Sequence, residues 1–250
     1  MHGSVRFRDV WVELPGAVTI LAEVNLSIAP GEAVAFVGRS GAGKTTALRL
    51  INGLVRPSRG EVLIDGEVHD DRALPILRRR IGYIIQGSGL FPHRTVLANI
   101  AAVPRLLGWN EDETRAAAFR VMEAVQLPPS QYAARYPGTL SGGEQQRVGI
   151  ARAIVFSPSI LLCDEPFGAL DPLVRRELQE LFLSIRKTTE STLVFVTHDL
   201  GEAMTVADRL VHFESGRVVA DVAATEYANH PDPVVQQFVD VARTSPGLRR

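Results

Sequence analysis

Gly38-Arg39-Ser40-Gly41-Ala42-Gly43-Lys44-Thr45 decides how the rest of this chain is read. It fits G-x-x-x-x-G-K-[ST], follows the apolar strand candidate Ala33 to Val37, and opens a helical pattern from Lys44 to Leu54. A glycine-rich turn with an incidental lysine would carry the same letters without that strand and helix. In this setting the glycines let backbone N–H groups curl around phosphate oxygens, and the helix N-terminus adds positive potential. Lys44 reaches the β and γ phosphates, and the Thr45 hydroxyl ligates magnesium.

Outward from the loop, the N-terminal side reads as strands Val5 to Leu14 and Val18 to Ile28, closed by the turn dipeptide Pro30-Gly31. Gly60 to Val68 reads as a hairpin whose Asp65-Gly66 suits a type I′ turn, and Ile81 to Ile85 as a further short strand. From about Gly87 to Ser157 the spacing becomes helical, at Val96 to Leu107, Asp112 to Val125 and Gly142 to Phe156. Strands return with Ile160 to Cys163 and Thr192 to Val196, around a helix that starts at Pro172 with Asp171 as its N-cap. A strand pair, Arg209 to Phe213 and Arg217 to Asp221, and a short helix near Val234 to Val241 complete the pattern; Thr244 to Arg250 reads as a frayed end. Alternating strands and helices imply a parallel α/β sheet. The expected organisation is one unit with a core of residues 1–86 and 158–250 and an inserted helical subdomain, 87–157.

Two acids follow the apolar strand Ile160-Leu161-Leu162-Cys163, so Asp164 and Glu165 emerge where a parallel strand ends and ligands gather. Alone, they read equally well as strand-end acids capping the next element. Beside a phosphate loop, Asp164 is a magnesium ligand and Glu165 the group that orients or deprotonates an attacking water. Cys163, inside that strand, reads as a small buried hydrophobe. His198 ends the buried strand Thr192 to Val196 and could donate to a γ-phosphate, though a lone histidine there is usually structural.

Leu140-Ser141-Gly142-Gly143-Glu144-Gln145-Gln146-Arg147 lies between the loop and the acids. A serine and two glycines at a helix start present unpaired N–H groups to an anion. In this order the three motifs resemble the nucleotide-binding subunit of an ATP-binding cassette (ABC) transporter, from about Val5 to Val239. The resemblance implies an α/β P-loop NTPase (RecA-like) core with N-terminal antiparallel strands and an inserted helical subdomain. It implies an ATPase using ATP and Mg²⁺, with Gly38, Ser40, Gly41, Gly43, Lys44, Thr45 and Thr46 around the nucleotide and Thr45, Gln86 and Asp164 around the metal. Glu165, His198 and Gln86 would be the catalytic set, with Gln86 as the glutamine that links the site to the helical subdomain. It further implies a head-to-tail homodimer in which Ser141, Gly142 and Gly143 meet the γ-phosphate held by the other copy. Gly168-Ala169-Leu170-Asp171 would cross the same interface. One position departs from the family: an aromatic residue usually stacks on adenine where this chain has Leu14, and Trp11, three residues away on a strand, would face the other side.

With 250 residues, 46% of them hydrophobic, the chain can bury a large core, and no apolar run approaches the roughly 18 residues of a membrane span. The first residues show no secretory segment, and the single cysteine cannot form an internal disulfide; both point to the cytosol. Balanced charge, 27 basic against 28 acidic residues, gives no general hold on nucleic acid, and Arg78-Arg79-Arg80 reads as a solvated face. A free-standing cassette resembles a bacterial importer subunit on the cytoplasmic side of the membrane, with two permease subunits docking near Gln86 and Gly87 to Thr95 and an external solute-binding protein. Ile81 to Gln86, Gly89 to His93, Val103 to Trp109 and Pro166 to Pro172 resemble the osmoprotectant branch, importers of glycine betaine, carnitine or choline. None of these residues would touch solute, so an importer of an amino acid, sulfonate or nitrate and a soluble ABC ATPase acting without transport remain as alternatives. The regulatory C-terminal domain pair found in some members of that branch is not expected in this sequence.

Overall fold

A computed structural model of the chain describes residues 2–69, 72–168 and 170–244; of the expected frayed end, 245–250 lie outside them. The strands are β1 (Val5–Leu14), β2 (Val18–Ile28), β3 (Ala33–Val37), β4 (Arg59–Ile64), β5 (Glu67–Val68), β6 (Ile81–Ile84), β7 (Ile160–Asp164), β8 (Thr192–Val196), β9 (Arg209–Glu214) and β10 (Arg217–Ala223). The helices are α1 (Lys44–Ile51), α2 (Leu74–Arg78), α3 (Val96–Ile100), α4 (Ala102–Leu106), α5 (Glu111–Ala124), α6 (Pro129–Tyr132), α7 (Gly142–Ile154), α8 (Pro172–Thr188), α9 (Leu200–Val206), α10 (Ala224–Tyr227) and α11 (Pro233–Thr244). By its contacts the chain forms two units, Met1–Leu77 with Glu190–Arg250, and Arg78–Thr189.

In the first unit β3 is buried at every position and is flanked by β8 and β9, both parallel to it. A strand covered on both faces has no polar alternation, which is why Ala33-Val34-Ala35-Phe36-Val37 reads as an unbroken apolar run. Phe36 packs against Phe213 at 5.1 Å between ring centroids, a pairing that adds about 1 kcal/mol beyond its buried area. A second sheet in this unit, β2-β1-β4-β5, is antiparallel throughout. Its β4–β5 turn has φ 54° at Asp65 and 83° at Gly66, the two positive angles a type I′ turn requires.

Helix α1 is expected to reach Leu54 and stops at Ile51. Gly53, at φ 66°, takes the left-handed conformation after the C-cap Asn52, so that its N–H reaches Leu50 O and that of Leu54 reaches Arg49 O. This pair of reversed hydrogen bonds ends the helix where a side chain would be strained.

In the second unit β6 and β7 run parallel, and every described helix between them belongs to the expected helical stretch. The single helix expected over 96–107 is two, α3 and α4, meeting at Ala101. Pro104 has no N–H to return to Ile100, so the chain restarts with proline in the first turn of α4. Helix α5 opens on a capping box, Asn110 with Glu113, and α8 on Asp171, whose Oδ1 accepts from Leu173 N and Val174 N at 3.1 Å each.

Candidate functional site

The phosphate loop is held by neighbours on both sides within the first unit. Gly216, in the β9–β10 turn, donates to Ala42 O at 3.1 Å and accepts from Ala22 N at 2.9 Å. Gly43 sits at φ 100°, and a Cβ on it would lie 2.6 Å from Leu21 Cδ2 and 2.9 Å from Ile20 O, so both conformation and space demand glycine. Helix α1 then begins at Lys44 with no side-chain cap and no acid in its first turn, which leaves its N-terminal field to an incoming anion. Lys44 is 6% exposed and donates from Nζ to Gly38 O at 2.8 Å and Arg39 O at 2.7 Å. The ammonium is thus held by the loop's own carbonyls.

His198 lies in the turn from β8 to α9, and its side chain is exposed while the residues beside it are fixed. Buried Thr197 donates to the Glu202 carboxylate and accepts from Asp199 N, and Asp199 in turn caps α9 by accepting from Glu202 N. The turn therefore presents His198 on a rigid base.

Leu14 pairs directly across the strands with Val18, and the two are 50% and 53% exposed, an aliphatic surface where the family has an aromatic. Trp11 cannot substitute freely, because its ring is packed by the Arg59 and Arg217 guanidiniums at 5.4 and 5.9 Å.

In the second unit the register of β6 on β7 pairs Ile84 with Cys163, so the residues two further along, Gln86 and Glu165, come side by side. Gln86 Nε2 donates to Glu165 Oε2 at 3.1 Å, which leaves the amide oxygen of Gln86 out of this bond. Glu165 is held at φ 49°, a left-handed conformation that costs a non-glycine residue about 1–2 kcal/mol and is tolerated where a side chain must be aimed. Asp164 is 4% exposed at the strand end. Cys163 is fully buried, and loss of solvent, reinforced by Asp164, pushes its thiol well above the ordinary range. An amide oxygen and a buried carboxylate, which Gln86 and Asp164 carry in this unit, are hard oxygen donors of the kind that suits magnesium, a metal that takes few protein ligands and keeps phosphate oxygens and water for the rest. The described residues hold no cluster of three or more His, Cys, Asp or Glu that would form a dedicated metal cage.

Ser141 is the N-cap of α7, its Oγ accepting from Glu144 N at 3.3 Å while its own N–H donates to Glu144 Oε2 at 2.7 Å. The hydroxyl accepts within the cap and keeps its own proton as a donor. Both Ser141 and Gly142 are exposed, and a Cβ on Gly142 would meet nothing. Asp171 is engaged through Oδ1 in capping α8.

Four residues not singled out from the sequence support this half. Gln146 Nε2 donates to Pro166 O at 2.9 Å and so ties α7 to the turn after Glu165. Arg152, at the other end of α7, donates to Ser88 O and Gly89 O at 3.0 and 2.9 Å. Asn99, fully buried, donates to Phe91 O, Arg94 O and Thr95 O and accepts from Phe91 N, clamping the loop ahead of α3. Tyr132 donates to Glu144 Oε1 at 2.7 Å. Gln146 and Arg152 work through distant backbone carbonyls and Tyr132 through a side chain on another helix, none of which leaves a local sequence signal, while Asn99 binds the backbone of the loop just ahead of it.

The family model described as ABC transporter matches residues 21–168. The chain belongs to the ABC transporter family. It is 45% identical over 94% of its length to the choline transport ATP-binding protein OpuBA of Bacillus subtilis, covering 63% of that protein. It is 44% identical over 95% of its length to the glycine betaine uptake system ATP-binding protein YehX of Escherichia coli, covering 76%. Against OpuBA and OpuCA of B. subtilis, whose name is glycine betaine/carnitine/choline transport ATP-binding protein, the chain spans only about three fifths of the relative's length, 63% and 60%. Among solved structures it resembles the dimeric post-hydrolysis state of the ATP-binding cassette MJ0796 bound to ADP and Pi, with a TM-score of 0.79 and 33% identity over 88% of this chain and 98% of that one. Its likeness to cbiO1 from Clostridium perfringens has a TM-score of 0.84 at 25% identity, over 96% of both chains. The fold is the α/β P-loop NTPase cassette, and no helix among the described residues is long and apolar enough to cross a membrane.

Proposed function

We propose that this ABC family chain is the ATP-hydrolysing subunit of an importer for a quaternary-amine osmoprotectant such as glycine betaine, choline or carnitine. The observation that carries the reading is 40–45% identity, over most of the chain, to ATP-binding proteins named for transport of those solutes.

The chemistry follows from the two halves. Backbone N–H groups from Gly38, Ser40, Gly41 and Gly43, with the amides and hydroxyls of Thr45 and Thr46 at the start of α1, bind the phosphates of ATP. Lys44 exchanges its loop carbonyls for β and γ phosphate oxygens. Thr45, Asp164 and the amide oxygen of Gln86 would hold Mg²⁺, which would supply charge neutralisation at the phosphates. Glu165, aimed by its backbone and by Gln86, orients or deprotonates the attacking water, and His198 donates to the γ-phosphate. Two copies close head to tail, with Ser141, Gly142 and Gly143 of each completing the γ-phosphate site of the other and the segment ending at Asp171 crossing between them. The dimeric cassette among the similar structures supports that closure.

Two permease subunits would dock on the loop clamped by Asn99 and Arg152, placing the chain at the cytoplasmic face of the membrane with an extracytoplasmic solute-binding protein on the far side and no nucleic acid involved. Reconstitution with those permease subunits tests this. ATP hydrolysis should rise when the binding protein is loaded with glycine betaine or choline; stimulation by an amino acid, sulfonate or nitrate alone would reassign the solute, and failure to assemble with any membrane subunit would remove the importer.

A further inference from the structure

The N-cap of α7 has a support that comes from outside its helix. Glu144 carries two partners on separate oxygens, Ser141 N at Oε2 and the Tyr132 hydroxyl at Oε1, both at 2.7 Å. The Ser141 N–H and the phenol together hold this carboxylate below its ordinary range. Tyr132 ends α6 and is itself located by a different helix. Val96 N donates to Arg135 O at 2.8 Å and Leu97 N to Ala133 O at 3.1 Å, so the first N–H groups of α3 fix the segment that carries the phenol. The Arg135 guanidinium covers the Tyr132 ring at 4.6 Å, which adds positive charge beside a carboxylate that would otherwise repel a phosphate.

Resting on the ATP-sandwich reading above, we propose that Tyr132 is a positioning residue for ATP hydrolysis, acting through Glu144 to hold Ser141 in register with the γ-phosphate bound by the other copy. A capping box fixes its serine only as well as its own glutamate is fixed. Glu144 is half-buried, and its side chain would sample other rotamers without a second anchor. The phenol supplies that anchor from a segment tied to the helix that follows the docking loop. Displacement of this segment would therefore reach Ser141 through Glu144.

Because Ser141 would touch ATP only in the closed dimer, the assignment separates dimerisation from nucleotide binding. In the Glu165→Gln chain, ATP-driven dimerisation is measured by analytical ultracentrifugation and monomer ATP affinity by calorimetry below the dimerisation range. Tyr132→Phe, which keeps the ring under Arg135, should weaken dimerisation about tenfold, the loss expected for one hydrogen bond to a charged group, with monomer affinity unchanged. On a Glu144→Ala background the same change should add less than about twofold, because the residues act in series; Glu144→Gln, which keeps an acceptor for the phenol, should remain sensitive to it. Unchanged dimerisation in Tyr132→Phe, a full tenfold effect on top of Glu144→Ala, or a parallel loss of monomer affinity would each overturn the assignment. If the Glu165→Gln parent forms no ATP-dependent dimer, the sandwich reading itself fails and Tyr132 loses its role with it.

Discussion

His212 is fully buried in β9 directly beside Val37, the residue that leads into the phosphate loop. Its Nδ1 hydrogen-bonds the Tyr227 hydroxyl, Phe238 of α11 meets its ring edge-on at 5.1 Å, and Nε2 has no hydrogen-bond partner among the described residues. Burial, with Lys44 adding to it and Asp232 opposing it, lowers the imidazole pKa to about 4 from 6.5. Between these values the unfolded chain binds the proton and the folded chain does not. Stability therefore rises with pH through that window, and up to about 3 kcal/mol is lost as pH falls from 6.5 to 4. His212→Gln, which can still accept from Tyr227 and cannot titrate, should flatten this limb in chemical denaturation at stepped pH; an unchanged slope would show that other groups set it. If the base docks where the resemblance places it, the aliphatic pair Leu14 and Val18 would offer contact to any purine and no side-chain hydrogen bond to distinguish them. ATP and GTP should bind within about a hundredfold, nearly 3 kcal/mol, of each other by calorimetric titration, and a larger preference for ATP would mean the base is read elsewhere.

At the scale of elements, the two glycines that open helix α7 have different jobs. A Cβ on Gly143 would lie 2.7 Å from Val174 Cγ1 of α8, while one on Gly142 would project into open space, where the proposed phosphate docks. Gly143→Ala should lower the melting temperature by several degrees, as an overpacking cost of about 1–2 kcal/mol requires. Gly142→Ala should leave melting unchanged or slightly raised, since alanine is the better helix former, yet weaken ATP-driven dimerisation. Thermal unfolding of the two variants separates the roles, and equal melting losses would refute the division. The same helix shows what sequence made legible. Its cap and glycines are local pattern, as are the apolar runs of β3, β7 and β8 and the proline start of α8. The start of α9 is written too, in Asp199 and Glu202 three residues apart, but at seven residues α9 carries too little periodicity to be read as a helix. Helices α6 and α10, four residues each, carry none. The contacts of Gln146, Arg152 and Tyr132 are not legible because each is made to a backbone or side chain brought near only by the fold; those of Asn99 are local, but an asparagine in a helical pattern does not announce which carbonyls it takes.

Across the whole molecule, the motifs fall into the two contact units: the loop, Lys44 and His198 in one, and Gln86, Asp164, Glu165 and the α7 N-terminus in the other. Hydrolysis would need both, and transport needs membrane partners besides. The most direct test is uptake of radiolabelled glycine betaine and choline at high osmolarity. Cells that lack other transporters for these solutes would carry the permease partners with either the wild-type chain or Lys44→Ala. Uptake should depend on Lys44 and fall to background in the variant; equal uptake with both, or none with either despite expressed and membrane-associated protein, would contradict ATP-driven osmoprotectant import by this chain.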